Sequence, residues 1–421
     1  MIRQPVGHSL SKNSFVKAQN LGGLTEDMSD ILSLAQKEAP YLKQVRRSLH
    51  QIPELSNEEW KTSSYIKKEL ESMGIPYDEG VAGTGIVGYL RGNNPDGKVL
   101  LIRADMDALP IEEINDCDFK SQHPGVMHAC GHDAHITCLL GAAKILSQKK
   151  DSFSGTIKLC FQPAEEGSDG GAELMVKEGV LKNPDVDFAI SMHVEPSLRV
   201  GTASIEPGPI TAYPERFSFD FYGVGGHGTL NCECKDPLLP AIEACNMIQN
   251  VRSKISALDP CIIQICMING GTATNVIPET CSVQGTCRTF TKEVRDKVRG
   301  YFKNIACHIA EIWDVRCDYT YGGHCFPVIN DPFYTHKVRE DLKDVFEDGY
   351  ASIKDMGGED YCFFSEQVPS VYMQIGSSNE NSETQNPLHN PNFQIDEGVL
   401  VKGTAAFAKV ALSYLNGHYD F

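Results

Sequence analysis

Helices and short apolar strands alternate through the first half of the chain, the texture changes after Pro214, and the first pattern returns at Pro327. Together these predict an α/β fold: a catalytic domain with a mostly parallel sheet flanked by helices, interrupted by an inserted ferredoxin-like α+β domain. The 421 residues, 41% hydrophobic and 22% charged, have ordinary globular composition, enough for about two to three domains. Its 38 Lys and Arg against 56 Asp and Glu leave a net charge of −18. So acidic a surface argues against a nucleic-acid or membrane partner. No apolar run approaches the ~18 residues needed to span a bilayer. The opening MIRQPVGHSLSKNS lacks a secretory apolar region, so a cytoplasmic protein is expected. The 15 cysteines are an odd number in a long chain, which does not read as a disulfide framework.

Residues 1–26 are polar without period and read as a loose leader. The first part of the catalytic domain is expected over 27–213. A helical stretch runs to His50, interrupted near Pro40. Ser56 opens a capping box with Glu59, predicting a helix that ends at Met73 before Gly74. Strands follow at 84–90, 99–104, 155–162 and 188–193, with helices at 134–148 and 171–177. The inserted domain is expected over 214–326. There, strands at 216–222, 261–268, 281–288 and 316–321 and helices at 237–255 and 291–313 give a β-α-β-β-α-β order. The second part, 327–421, adds a strand at 370–375 and a closing helix at 397–415.

The densest chemistry is MHACGHDAH, residues 127–135. Cys130 and His132 flank a single glycine, so a thiolate and an imidazole can converge on one point, a good pair for a borderline-soft divalent ion. An isolated Cys-Gly-His is more often a buried thiol beside surface histidines; three His, one Cys and one Asp in nine residues shift the balance. QPAEEG places Glu165 and Glu166 just past an apolar strand, where open α/β sheets gather their active sites. Adjacent carboxylates diverge, letting one bind a metal while the other reaches a water. His193 ends another apolar strand, and His389 sits in PLHNPNF before the last helix. Asp105 and Asp107, two apart in RADMDALP, share one side of an extended segment.

RADMDALP, MHACGHDAH, FQPAEEG, HVEPSLRVG, GVGGHG, NVIPE, GTCRTF, GGEDYCFF and LHNPNF occur in that order. The set resembles the bimetallic amidohydrolases: hippurate hydrolases, auxin–amino-acid conjugate hydrolases and N-acyl-amino-acid deacylases of the aminoacylase/carboxypeptidase superfamily. The resemblance spans roughly residues 40–418 and implies two divalent ions per subunit, described in relatives as manganese, zinc or cobalt. It implies Cys130, His132, Glu166, His193 and His389 as ligands, the cysteine shared. It further implies Glu165 as general base and Asp107 as the carboxylate that orients a ligand. The inserted domain would mediate homodimerisation, with His227 of GGH reaching the partner's site and Asn275 of NVIP holding the substrate carbonyl or carboxylate. Arg288 of GTCR is a further candidate for the substrate carboxylate. After His227, where relatives carry small residues and then Pro-His, this chain has Asn231 and Cys232, a departure at the rim of the acyl pocket. GGEDY replaces the commoner serine-containing loop.

Two divalent ions about 3.5–4 Å apart can activate a water and polarise an amide carbonyl. The expected activity is therefore cleavage of an N-acyl amino acid, a small-molecule substrate, with Glu165 taking the water's proton. A dipeptidase or carboxypeptidase of the same chemistry stays open, as does a non-catalytic metal-binding relative. A serine or cysteine hydrolase finds no G-x-S-x-G elbow in the sequence.

Overall fold

A computed structural model describes residues 30–167 and 170–420; the expected leader lies outside the described residues. Helices α1 (Ile31–Lys37) and α2 (Ala39–His50) break where Pro40 occupies the first turn of α2, the position proline tolerates because its missing N–H has no helical partner. Helix α3 (Trp60–Ser72) starts later than the Ser56–Glu59 signal predicts. That capping box does not form. Glu59, fully buried, instead accepts the Asn57 and Ala164 N–H groups at 3.0 and 2.9 Å and the Thr84 hydroxyl at 2.6 Å. Ser56 donates to Asp107 Oδ2 at 2.7 Å. A buried carboxylate must be satisfied, and donors from three segments do this better than one helix end.

The chain continues through β1 (Tyr77–Val81), β2 (Gly85–Arg91), β3 (Val99–Asp105), α4 (His132–Ser147), β4 (Thr156–Gln162) and α5 (Gly171–Lys177). Strands β5 (Phe188–Arg199), β6 (Thr202–Ser204) and β7 (Gly208–Pro209) follow. Next come β8 (Tyr213–Tyr222), β9 (Gly226–His227), α6 (Leu238–Asn250), β10 (Cys261–Gly270), β11 (Val276–Ile277), β12 (Thr280–Thr289), α7 (Lys292–Ile312) and β13 (Arg316–Gly322). Strand β14 (Ile329–Asn330), α8 (Pro332–Asp341), β15 (Gly349–Ala351), α9 (Cys362–Ser365), β16 (Ser370–Ser378) and α10 (Gly398–Leu415) close it.

The main sheet has eight strands in the order β1-β2-β4-β3-β5-β16-β6-β15. Its centre, β4-β3-β5-β16, is parallel. The β1/β2, β2/β4 and β16/β6 pairs are antiparallel, so the sheet is mixed, with the expected parallel character at its middle. Strands β3, β4 and β16 are buried at every position, as befits strands covered on both faces. Leu100 and Ile102 of β3 pack with α1, α2, α4 and α10, while Val99 and Leu101 face a second cluster with α5 and α9.

Helix α10 corrects the expectation about apolar runs: its 18 residues, mean hydropathy 1.3, are long and apolar enough to cross a bilayer by length and composition. Yet 83% of it is buried inside the protein, and Lys402 donates to the Val345 carbonyl at 2.9 Å. It is a core helix.

The other four-stranded sheet, β10-β12-β8-β13, is antiparallel throughout. Helices α6 and α7 cover one face through Phe217, Phe219, Phe221, Val298 and Phe302, a core of its own. The opposite face, carrying Arg216, Ser218, Gln284 and Thr320, is polar.

Candidate metal centre

The parallel strands end on one side, and their carboxyl ends deliver the site. Asp105 closes β3 and Asp107 follows it; Glu165 and Glu166 follow β4; His193 lies within β5. Cys130 and His132 come from the turn into α4, with Gly131 between them at φ +87°, where a Cβ would stand 2.4 Å from Val194 Cγ2. Only glycine fits that left-handed, crowded position. His389 also has a positive φ, 61°, and donates its N–H to the Ala129 carbonyl at 2.9 Å, tying its loop to the Cys130 turn.

The structure brings the five expected donors into two overlapping triads, Cys130–His132–His193 and Cys130–Glu166–His389, each with ligand atoms within 4.8 Å of one another. Cys130 belongs to both. Its Sγ stands 3.3 Å from His193 Nε2, and His389 Nε2 is 3.1 Å from Glu166 Oε1. Each of the two buried-side imidazoles is fixed through its other nitrogen: His132 Nδ1 donates to the Asp107 carbonyl at 2.9 Å and His193 Nδ1 to the Val194 carbonyl at 2.7 Å. Nε2 is thereby the inward lone pair. His132 Nε2 is buried with no hydrogen-bond partner, an orphan that a cation would satisfy. A sulfur, three imidazoles and a carboxylate suit a divalent transition ion, so the residues present fit a metal pair.

The electrostatics make the same demand. Burial alone would lower the His132 pKa, but Asp105, Asp107 and Glu166 push it up to about 10. Burial and the neighbouring carboxylates hold the Cys130 thiol well above its ordinary value, so a thiolate there needs a cation. Burial, then Glu359, Asp360 and Glu166, raises Glu165 well above the carboxylate range. Glu165 Oε2 lies 4.0 Å from His132 Nε2.

Asp107 accepts the Ser56 hydroxyl together with the Glu165 and Glu166 N–H groups, the latter two at 3.1 and 3.0 Å. Its side chain also lies 3.4 Å from His132 Nδ1. Asp105 serves a different partner: Oδ1 accepts His135 Nδ1–H at 2.6 Å while Oδ2 takes Arg103 Nη1 at 2.8 Å. His135 accepts the Val194 N–H on Nε2, so it is a neutral imidazole with both nitrogens occupied and no lone pair for a metal. Burial pushes its pKa down to about 4.

Sequence reasoning missed the group behind Glu165. Arg103, fully buried, bonds Asp105, Gln162, Glu359 and Asp360. Glu359 also accepts the Tyr372 hydroxyl at 2.9 Å. The visible signal was an arginine inside an apolar strand, a residue almost never buried without partners.

A cavity of about 620 Å³ opens over the donors, lined by Cys130, Glu165, Glu166, His193 and His389 and, from the other sheet, by Arg216 and Arg288. His227 and Asn275 are not among its lining residues. They sit together on the β9–β11 ribbon, where the Gly228 N–H meets the Asn275 carbonyl at 2.9 Å and His227 Nδ1 contacts the Thr229 hydroxyl at 2.8 Å. Asn231 and Cys232 are exposed beside them.

Residues 101–413 match the profile of Peptidase family M20/M25/M40. The chain belongs to this family. All five donors, Glu165 and Asp107 fall inside the match, which also makes this M20-family chain a hydrolase. It is 38% identical over 380 residues to thermostable carboxypeptidase 2 of Saccharolobus solfataricus, covering 89% of this chain and 96% of the relative. It is 34% identical over 385 residues to N-acetyl-L-cysteine deacetylase of Bacillus subtilis, covering 89% and 90%. Among solved structures it resembles a dinuclear metal-binding peptidase of the M20 family from Bacillus subtilis, with TM-score 0.77 and 30% identity over 90% of this chain and 99% of that one.

Proposed function

We propose that this M20-family hydrolase removes the acyl group from N-acyl amino acids, using two divalent ions held by Cys130, His132, Glu166, His193 and His389. The observation that carries this reading is the pair of triads sharing Cys130, with Glu165 beside them. When bound, a divalent pair supplies Lewis acidity for the scissile carbonyl and lowers the pKa of a water toward about 7. The chain's own residues do the rest. Glu165, its proton affinity raised by burial and by Glu359 and Asp360, takes the water's proton and returns it to the leaving amine. Asp107 fixes the backbone of both glutamates and faces His132, so proton acceptor and metal ligands keep one relative position.

Arg288, on the far wall of the cavity, is assigned the substrate carboxylate. His227 acts on a partner subunit's site, in keeping with its standing outside the cavity of its own chain, and Asn275 holds the substrate carbonyl or carboxylate. Homodimerisation is supported by the unpaired outer edge of β10, with Met267 and Ile268 exposed, and by exposed Leu239 and Ile242 on α6. The thiolate favours zinc over manganese by softness, and the free cysteines accord with a cytoplasmic location. Metal analysis combined with a screen of N-acyl amino acids tests the reading: about two ions per chain and chelator-sensitive deacylation are expected, and full activity after exhaustive chelation would sink it. The similarity to a carboxypeptidase favours a second reading, cleavage of C-terminal residues from peptides; the same screen with matched dipeptides separates the two.

A further inference from the structure

Arg216 and Arg288 stand side by side on the second sheet without a counter-ion. Register pairs Arg216 with Thr286 and Arg288 with Pro214 across β8 and β12, so the two arginines are diagonal neighbours on the same, polar face. Diagonal neighbours lie within reach of long side chains, and like charges placed close together across strands destabilise a sheet. Neither arginine makes an ion pair among the described residues: no carboxylate oxygen approaches within the usual 4.0 Å. Arg288 spends Nη1 on the Glu215 carbonyl and the Thr286 hydroxyl, which points the rest of its fork away from those partners. Two acidic residues of the same cavity bond their own backbone rather than either arginine. Glu195 accepts the Ser197 N–H at 2.9 Å, and Asp355 accepts the Gly357 N–H at 2.8 Å. Burial lowers the Arg288 pKa, Cys287 opposes this, and the charge of Arg216 adds to the lowering, in keeping with two neighbouring cations.

These two guanidinium groups are the only cationic side chains of Lys or Arg among the described residues that line the cavity, and both come from the wall contributed by the second sheet. One substrate carboxylate occupies one fork. The second fork then has no charged partner among the described residues and none in a substrate with a single carboxylate.

We propose that Arg216 is a specificity-determining residue: with Arg288 on the α-carboxylate, Arg216 takes a second carboxylate on the same leaving group, so the preferred substrates are N-acyl derivatives of dicarboxylic amino acids. The proposal rests on the N-acyl amino acid reading above and adds which amino acid is released. A neutral side chain of the same shape offers the exposed Arg216 at the cavity wall only an uncharged amide, whereas a carboxylate gives it a charge-assisted, two-point partner. Selection then appears in binding, since the group read is remote from the scissile bond.

The isosteric pair N-acetylglutamate and N-acetylglutamine tests this on the metal-loaded protein. The wild type is expected to favour the glutamate derivative at least ten-fold in kcat/KM, mainly through KM. Arg216→Gln brings the ratio toward one, and Arg216→Lys restores part of it. Equal kcat/KM for the two compounds in the wild type overturns the proposal, as does a ratio unchanged in Arg216→Gln. If neither compound is hydrolysed, the deacylase reading has failed, and calorimetric binding of the same pair decides the arginine proposal separately. Binding of N-acetylglutamate at least ten-fold tighter than N-acetylglutamine, lost in Arg216→Gln, supports it; equal affinity, or no binding of either, overturns it. Should Arg216→Gln fail to fold, Arg216→Met takes its place, and the wild-type ratio stands as a test by itself.

Discussion

Asp107 holds Glu166 by its backbone: Oδ2 accepts the Glu166 N–H at 3.0 Å, while Oδ1 accepts that of Glu165 at 3.1 Å. With the Ser56 hydroxyl also on Oδ2, one carboxylate holds the Glu165–Glu166 backbone and lies beside the His132 imidazole at once. Asp107→Asn keeps the shape but turns one acceptor into a donor against these N–H groups. Metal affinity or activity should fall about 10–100-fold with the fold retained, read by metal titration and circular dichroism.

Glu165→Gln should retain metal and thermal stability while kcat falls by about 10²–10⁴-fold, the usual worth of a positioned proton acceptor. Metal content and turnover measured on one preparation check this; near-normal turnover removes Glu165 from the reaction.

Because Cys130 belongs to both triads and His389 to one, their loss should differ in stoichiometry. Cys130→Ala is expected to weaken both ions, and His389→Ala only the one it shares with Glu166. Equilibrium dialysis followed by elemental analysis gives ions per chain; equal losses in the two variants contradict a shared sulfur.

Gly131→Ala combines a left-handed backbone with a Cβ placed 2.4 Å from Val194 Cγ2. The backbone costs about 1–2 kcal/mol and the overpacking about 1–3 kcal/mol. Urea denaturation should show a loss of that combined size, and adding Val194→Ala should recover the packing part but not the backbone part.

Lys158 offers a stability probe remote from the metal centre. Burial pushes its ammonium down to about 8, with Nζ donating to the Val180 and Lys182 carbonyls at 2.8 and 2.6 Å. The unfolded chain holds this proton up to about pH 10.4. Between about pH 8 and 10 the folded state therefore binds fewer protons than the unfolded one, so this group makes stability rise with pH. Lys158→Met should flatten that rise, seen by comparing urea midpoints at pH 7.5 and 9.5 in both proteins.

The long elements were legible because they are periodic: α7 over Lys292–Ile312 and α10 up to Leu415 stand where the pattern places them. The short strands β6, β7 and β15 were not, since two or three residues show no period and pair only because the tertiary fold brings a neighbour alongside. Ser56 and Glu59 misled for a related reason: their local spacing matched a helix cap, but their oxygens are committed to Asp107, Thr84 and Ala164. In the site, Cys130 and His132 were legible as neighbours in sequence. The partners of Arg103 were not, because Glu359 and Asp360 lie 256 and 257 residues away and carry no spacing signal.

That separation bears on how the protein is made. Arg103 enters the growing chain 256 and 257 residues before Glu359 and Asp360, two of the carboxylates that neutralise it. Until they arrive, β3 carries a guanidinium into the apolar centre of the sheet short of its counter-charges. A nascent or truncated chain that stops before Glu359 would thus hold its central strand unsettled, with the Arg103 network complete only once Asp360 has been added.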